Sequence, residues 1–193
     1  VGQHTGTGPK QINLENTLAE LDIDDEPHPL TRQQKKAKVL HLIKSVSGIN
    51  HTAAAEGGLM QKDKDRRLGL TPNIPGTKWA YNNWDYNALT TIFVEETGLS
   101  IYEAFKQGIA GPLGMQDFGK DAVILEYERE LSMHPKAGFA LSARDLLKFG
   151  QLYLNKGDWQ GREIIPASWI DRITQDYTLT GRSGLRSAHG YLW

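Results

Sequence analysis

No cysteine occurs among the 193 residues, so neither a disulfide framework nor a thiolate metal site can be built here. No charge of one sign dominates either, since 22 basic residues stand against 23 acidic ones. A phosphate backbone is gripped by clustered positive charge, and a chain lacking that footprint is not expected to bind nucleic acid. No apolar run approaches the roughly 20 residues that a helix needs to cross a bilayer, so no membrane span is expected. Metal-ligand spacing is missing too. There is no His-Glu-x-x-His, and the histidines at 4, 28, 41, 51, 134 and 189 never fall at ligand spacing with a carboxylate partner. Neither a metal nor any other cofactor is expected. His41 then reads as a packing or surface residue, and His134, before Pro135, as a turn residue. Adjacent carboxylates such as Glu95 with Glu96, or Asp24 with Asp25, face different directions and make a poor glycosidase pair.

What is present is ordinary globular composition, 39% hydrophobic and 23% charged, in a chain long enough to bury one good core or two small ones. Val1 is not a methionine, and the closing "HGYLW" reads as a strand cut in the middle. The expectation is a piece of a longer protein, whose compartment, periplasmic or cytoplasmic, and oligomeric state stay open. "VGQHTGTGPKQ" resists helix and strand alike and reads as a loop. Its "GTGPK" is no phosphate cradle, because Pro9 intervenes and Gln11 follows the lysine.

Local punctuation places the helices. Thr31 with Gln34 is a capping-box pair, followed by the apolar face of Val39, Leu40, Leu42 and Ile43, with Gly48 as a left-handed stop. Between Gly57 and Pro75 lies a long polar stretch of the kind that lines sites. "DYNALTTIFVEET", from Asp85 to Thr97, puts Ala88, Leu89, Ile92 and Phe93 on one face, and Gly98 ends it. Ser100 with Glu103 caps another helix, which "GPLGM" breaks. Ser142 with Asp145 caps a third, where Leu146, Leu147, Phe149, Leu152, Tyr153 and Leu154 make a broad apolar surface. Pro166 stands at the first turn of a fourth. Strand signals fall at Lys78 to Tyr81, around Phe139 to Leu141 and at the C-terminus. A helix layer with only scraps of sheet points to strands outside this piece.

The densest chemistry lies in "PGTKWAYNNWDYN", residues 75 to 87. Amides in a connection belong at turns and caps unless they hold something polar. Read by itself, Tyr81 anchors the loop by its ring and Asn83 caps the following helix. The order of motifs around it offers a second reading. The stretch from Pro75 through "TGLSIYEAFKQGIAGPLGM", together with "VLHLIKSVSGI", "ALSARDLLKFGQLYLNKGDWQGREIIPASWI" and "HGYLW", resembles the serine hydrolases of the β-lactamase and penicillin-binding type, class C branch. The resemblance covers about residues 12 to 193.

That resemblance implies an α+β, β-lactamase/transpeptidase-like fold, here a mostly helical fragment with few strands of the antiparallel sheet. The whole of 1–193 would be one partial domain: about 12–141 the helical subdomain with the Tyr-x-Asn loop, about 142–193 the start of the C-terminal helix and sheet part. It also implies acyl transfer to a serine on an ester, amide or β-lactam, with a small-molecule or peptide-like substrate. Tyr81 takes the catalytic tyrosine's role in proton handling, and Asn83 the role of holding the substrate's amide oxygen. A tyrosine with a pKa of about 10 is a poor base at neutral pH unless nearby cations stabilise its phenolate. In the resembled family such a cation is the lysine of Ser-x-x-Lys. No serine of this chain has a lysine three places on, Lys-Thr-Gly is absent, and His189-Gly190 lacks the intervening residue of the His-x-Gly strand that would follow. The fragment is therefore expected to be inactive alone. Two alternatives remain open: a non-catalytic relative of the same fold that binds peptide or cell-wall fragments, and an unrelated helical interaction protein. Trp79, Trp84 and Tyr86 hint at an apolar acyl or ester substrate, or belong to the core.

Overall fold

Thr31 and Gln34 make the reciprocal bonds that their spacing promises. Gln34 N–H donates to Thr31 Oγ1 at 3.2 Å, and Thr31 N–H donates to Gln34 Oε1 at 2.8 Å. The helix expected to follow is nonetheless one 3₁₀ turn, Gln34–Lys36, because Ala37 and Lys38 are extended. Their neighbours hold them so: Leu18 N–H donates to Ala37 O at 2.8 Å and Val39 N–H to Asn16 O at 3.0 Å. Pairing with the 14–18 segment thus outcompetes helix propagation. Only Val39–Ile43 is α-helical (α1), with Val39, Leu42 and Ile43 buried. The chain then passes through left-handed backbone at Ser45, φ 55°, and at Gly48, φ 76°. The turn at Gly48 is tight, since a Cβ there would lie 2.2 Å from Asn73 O.

The computed structural model describes residues 2–54, 73–175, 178–179 and 188–191. Most of the polar 57–75 stretch lies outside them, as do Leu192 and Trp193. The helix expected from Asp85 runs over Asn83–Thr97 (α2), and Gly98, φ 70°, closes it with its N–H on Val94 O. Buried residues from Trp84 to Phe93 sweep roughly 240° of its circumference at 3.6 residues per turn, so α2 is the central element. Ser100 and Glu103 form the capping box that opens Ile101–Phe105 (α3), and a π-turn over Lys106–Ala110 leads to Gly111.

Val123–Glu126 (β1) pairs antiparallel with Lys136–Phe139 (β2), which supplies the strand expected near Phe139 and a partner that the sequence did not announce. The strand expected at Lys78 to Tyr81 does not form: Lys78 lies in a bend and the three residues after it belong to no strand. Ser142 caps Ala143–Leu154 (α4) by accepting from Asp145 N–H at 3.2 Å. A two-residue hairpin, Asp158–Trp159 (β3) with Arg162–Glu163 (β4), follows. Ala167–Ile173 (α5) begins after Pro166, and Thr178–Leu179 (β5) pairs with Ala188–His189 (β6). The result is mixed helices with antiparallel strand pairs, an α+β chain.

One buried cluster gathers the 12–30 segment, α1 and α2 around Leu18, Leu42, Trp84 and Ile92. A second gathers Ile109, Leu113, Leu152, Ile164, Ile165 and Ile170. Tyr153 and Trp169 touch both. The expected apolar face of α4 is only partly covered: Leu152 is fully buried, but Leu147 is 74% and Leu154 84% exposed. Their positions turn them away from the second cluster that Leu152 joins.

Candidate active site

The 73–87 segment is fixed by a run of bonds to residues 45–54. Gly76 N–H donates to Val46 O and Ala80 N–H to Ser45 O, each at 2.8 Å. This lays the loop along the turn that α1 ends on. Asn82, extended at φ −149°, is the N-cap of α2: its Oδ1 accepts from Trp84 N–H at 3.0 Å. Its Nδ2 donates to Ile49 O at 2.6 Å. The cap is therefore Asn82 and not Asn83, which corrects the capping reading of Asn83. Asn82 wins because it stands one residue before the first helical position, where an extended backbone lets the side chain fold back onto the helix.

The first turns of α2 repeat the pattern. Ser47 Oγ donates to Asp85 Oδ1 at 2.7 Å, Tyr86 Oη lies 2.9 Å from Ser45 Oγ, and Asn87 Nδ2 donates to Ala54 O at 3.2 Å. Trp84 Nε1 donates to Asp25 Oδ2 at 2.6 Å. So the stretch rich in amides and aromatics is mostly scaffold. Trp84 is fully buried in the core, whereas Tyr86 is half-buried and lines an apolar cavity.

Asn83 differs from its neighbours. It is half-buried, and its amide makes no hydrogen bond among the described residues. Tyr81 is half-buried as well, with its ring 5.2 Å from that of Tyr86 at an interplanar angle of 39°. Burial pushes the Tyr81 phenol above its ordinary value, so at neutral pH it is a protonated hydroxyl. The Tyr86 phenol is raised further by deeper burial, although Ser45 acts against the shift.

An apolar cavity of about 460 Å³ opens on the other side of Tyr86, among Phe93, Phe105, Phe149, Tyr153 and Trp169. Tyr81 and Asn83 do not line it. Among the described residues no three histidine or carboxylate side chains converge as metal ligands. No described helix is long and apolar enough to cross a membrane.

Sequence reading missed a polar centre behind the loop. Asp25, 1% exposed, accepts from Ser132 Oγ, Met133 N–H, Glu26 N–H and Trp84 Nε1. His134 is no plain turn residue: it is 1% exposed, with Nδ1 2.9 Å from Thr91 Oγ1 and Nε2 2.8 Å from Asp24 O. Asp145 likewise does more than follow a cap. Its carboxylate accepts from Gln116 and Asp117 N–H, tying α4 to the 116–117 segment. Apart from Glu26 N–H, one position from Asp25, these ties span 28 to 110 positions and nothing local in the sequence marks them.

The Beta-lactamase family profile matches residues 20–193. A D-aminopeptidase of Gluconobacter oxydans (strain 621H) is 26% identical over 116 residues, covering 54% of this chain and 22% of that protein. An octameric penicillin-binding protein homologue from Pyrococcus abyssi superposes with a TM-score of 0.61 at 18% identity, over 93% of this chain and 47% of its own. A Bacillus anthracis protein provisionally called a 6-aminohexanoate-dimer hydrolase gives 0.61 at 22% identity, over 94% and 52%. The chain thus spans under a quarter of that curated relative and about half of each of these solved structures. With the profile running from residue 20 to the end, and the fold shared with penicillin-binding-protein-like structures, the chain belongs to the Beta-lactamase family.

Proposed function

We propose that the protein is a serine hydrolase that forms an acyl-enzyme on an ester, amide or β-lactam, with Tyr81 in the general-base role and Asn83 holding the substrate's amide oxygen. One observation carries the reading. In a segment whose other polar side chains are largely committed to scaffold bonds, the Asn83 amide has no hydrogen bond among the described residues and stands two positions from a half-buried phenol. The names of the D-aminopeptidase and the aminohexanoate-dimer hydrolase support amide-like substrates for such a site.

The chemistry assigns each part a task. Serine attack on a carbonyl needs a base for the hydroxyl proton, and a neutral phenol cannot accept one. Tyr81 therefore needs a cation beside it, and the lysine of a Ser-x-x-Lys helix would supply that charge. None of this chain's serines has such a lysine, so this chain alone is inactive. Losing the nucleophile from a cooperating set costs on the order of 10⁶-fold in kcat in a serine protease.

The test compares this chain with its full-length gene product on a chromogenic β-lactam and a p-nitrophenyl ester, alongside penicillin and fluorophosphonate labelling. The full-length protein should turn over and be labelled. Tyr81→Phe in it should lower kcat by about 10²–10⁴-fold, the usual range for a general acid or base. Turnover by the isolated chain, unaffected by Tyr81→Phe, would defeat the assignment. The burial-raised phenol favours a second reading, a non-catalytic relative that binds peptide or cell-wall fragments. Peptidoglycan-fragment binding by a full-length protein that neither probe labels would select it.

A further inference from the structure

We propose that Asp25 is a positioning residue for the Tyr81–Asn83 loop, its buried carboxylate holding the Trp84 indole and, through it, the start of α2. The inference rests on the hydrolase reading above, in which Tyr81 and Asn83 meet the substrate.

The carboxylate is fully enclosed, and both oxygens are engaged. Oδ1 accepts from Met133 and Glu26 N–H, each at 2.8 Å, and Oδ2 from Trp84 Nε1 at 2.6 Å, while Ser132 Oγ lies 3.0 Å from both. A buried carboxylate without partners is costly, whereas one with a complete donor set fixes the geometry of everything it touches. Burial opposes the Asp25 charge, yet the donors and the neighbouring imidazole outweigh it and hold the carboxyl below its ordinary range.

Three segments meet at this point. The 131–134 turn is tied down separately by Thr52 Oγ1 on Leu131 O at 2.7 Å and by His134 on Asp24 O and Thr91. It is therefore a fixed anchor for Asp25. The Trp84 ring is held at its N–H by Asp25 and flanked edge-on by His51, 5.8 Å away, and by His134, 5.2 Å away. His51 Nδ1 stands 3.7 Å from Asp25 Oδ2, an ion-pair distance for a protonated ring and too long for a hydrogen bond. The Asp24 carboxylate is engaged elsewhere, by Lys35 and Leu30 N–H. Trp84 directly follows Asn83, and Asn82 directly precedes it. With the indole pinned by Asp25 and the Asn82 amide pinned on Ile49 O, Asn83 is bracketed and Tyr81 is fixed one residue further out.

The test uses Asp25→Asn, which keeps the shape and loses the charge, and Trp84→Phe, which keeps a ring and loses the donor. In this chain, labelled with ¹⁵N, the Trp84 indole N–H signal is followed together with the alkaline titration of Tyr81, assigned by its loss in Tyr81→Phe. In the full-length product, kcat and KM are measured on the ester. Asp25→Asn should move the indole signal to the solvent-exposed range and let Tyr81 ionise at lower pH, because a loosened loop hydrates the phenol. It should also lower kcat by on the order of 100-fold with KM little changed, the cost of a small misplacement. The double variant should be no worse than the worse single one, since both changes break the same bond. A Tyr81 titration that stays put in a folded variant lacking the indole signal overturns the proposal, as do single losses that multiply. Should Asp25→Asn not fold, Trp84→Phe alone must reproduce the Tyr81 shift, and its absence overturns the proposal equally. If the full-length product hydrolyses nothing, the hydrolase reading falls, while the indole and phenol signals still decide the role of Asp25.

Discussion

At the scale of single residues, two adjacent asparagines have opposite work. Asn82 is buried, caps α2 and covers Ile49 O, so Asn82→Ala removes a cap and strands a buried carbonyl. Together these should cost about 2–4 kcal/mol. Asn83→Ala removes an amide with no hydrogen bond among the described residues, and stability should stay within about 0.5 kcal/mol. Urea unfolding of the two variants of this chain checks the contrast directly. A large loss at Asn83 would mean that its amide is part of the scaffold after all, and that the opening for substrate is elsewhere. Sequence alone does not separate the pair. Both are amides before an amphipathic run, and the choice of cap depends on which backbone is extended, which the Ile49 contact across 33 positions decides.

Secondary-structure elements divide by how local their causes are. The stop of α2 and the starts of α3 and α4 were legible, because Gly98, Ser100 and Ser142 act within one turn of themselves. The Thr31–Gln34 box was legible too, but not the break after it, since Ala37 is pulled into pairing with Leu18 from 19 positions away. The strand β1 escaped notice because its Val, Ile and Leu are half-buried or exposed and depend on β2 for their pairing. Of the candidate site, the motif around Tyr81 could be read, whereas Asp25, Ser132 and His134 could not, being joined only by the fold. On α4 the same distinction yields a measurable contrast. Leu152 is fully buried in the second cluster, so Leu152→Ala should cost about 2–5 kcal/mol. Leu154 is 84% exposed, and Leu154→Ala should change stability by no more than about 0.5 kcal/mol. Equal losses in thermal or urea unfolding would show that the outward face of α4 is covered in solution.

Across the whole molecule, ionisable groups on both sides of neutrality set the range of pH over which the fold is stable. Burial lowers the imidazoles of His4, His41 and His134, so the native state keeps them neutral while unfolded chains take up protons first. Stability should therefore begin to fall as pH drops below about 6.5. Asp24 and Asp25 are held below the ordinary range by donors that outweigh their burial, and their contribution is lost as pH falls through about 4 and below. Glu95, raised by burial and by Glu96, runs the other way but is mostly solvated. On the alkaline side burial raises the phenols of Tyr81, Tyr86 and Tyr153, so unfolded chains lose these protons first and stability should decline above about pH 10. Lys44, lowered by burial, offsets part of that decline, one group against three. Urea midpoints measured on this chain from pH 3 to 11 should trace a plateau between about 6.5 and 10 with a fall on each side. Because the acidic shoulder near 6.5 belongs to the imidazoles, His134→Gln should flatten it if the variant folds, whereas a shoulder that persists unchanged would assign it to His4 and His41, away from the polar centre behind Trp84.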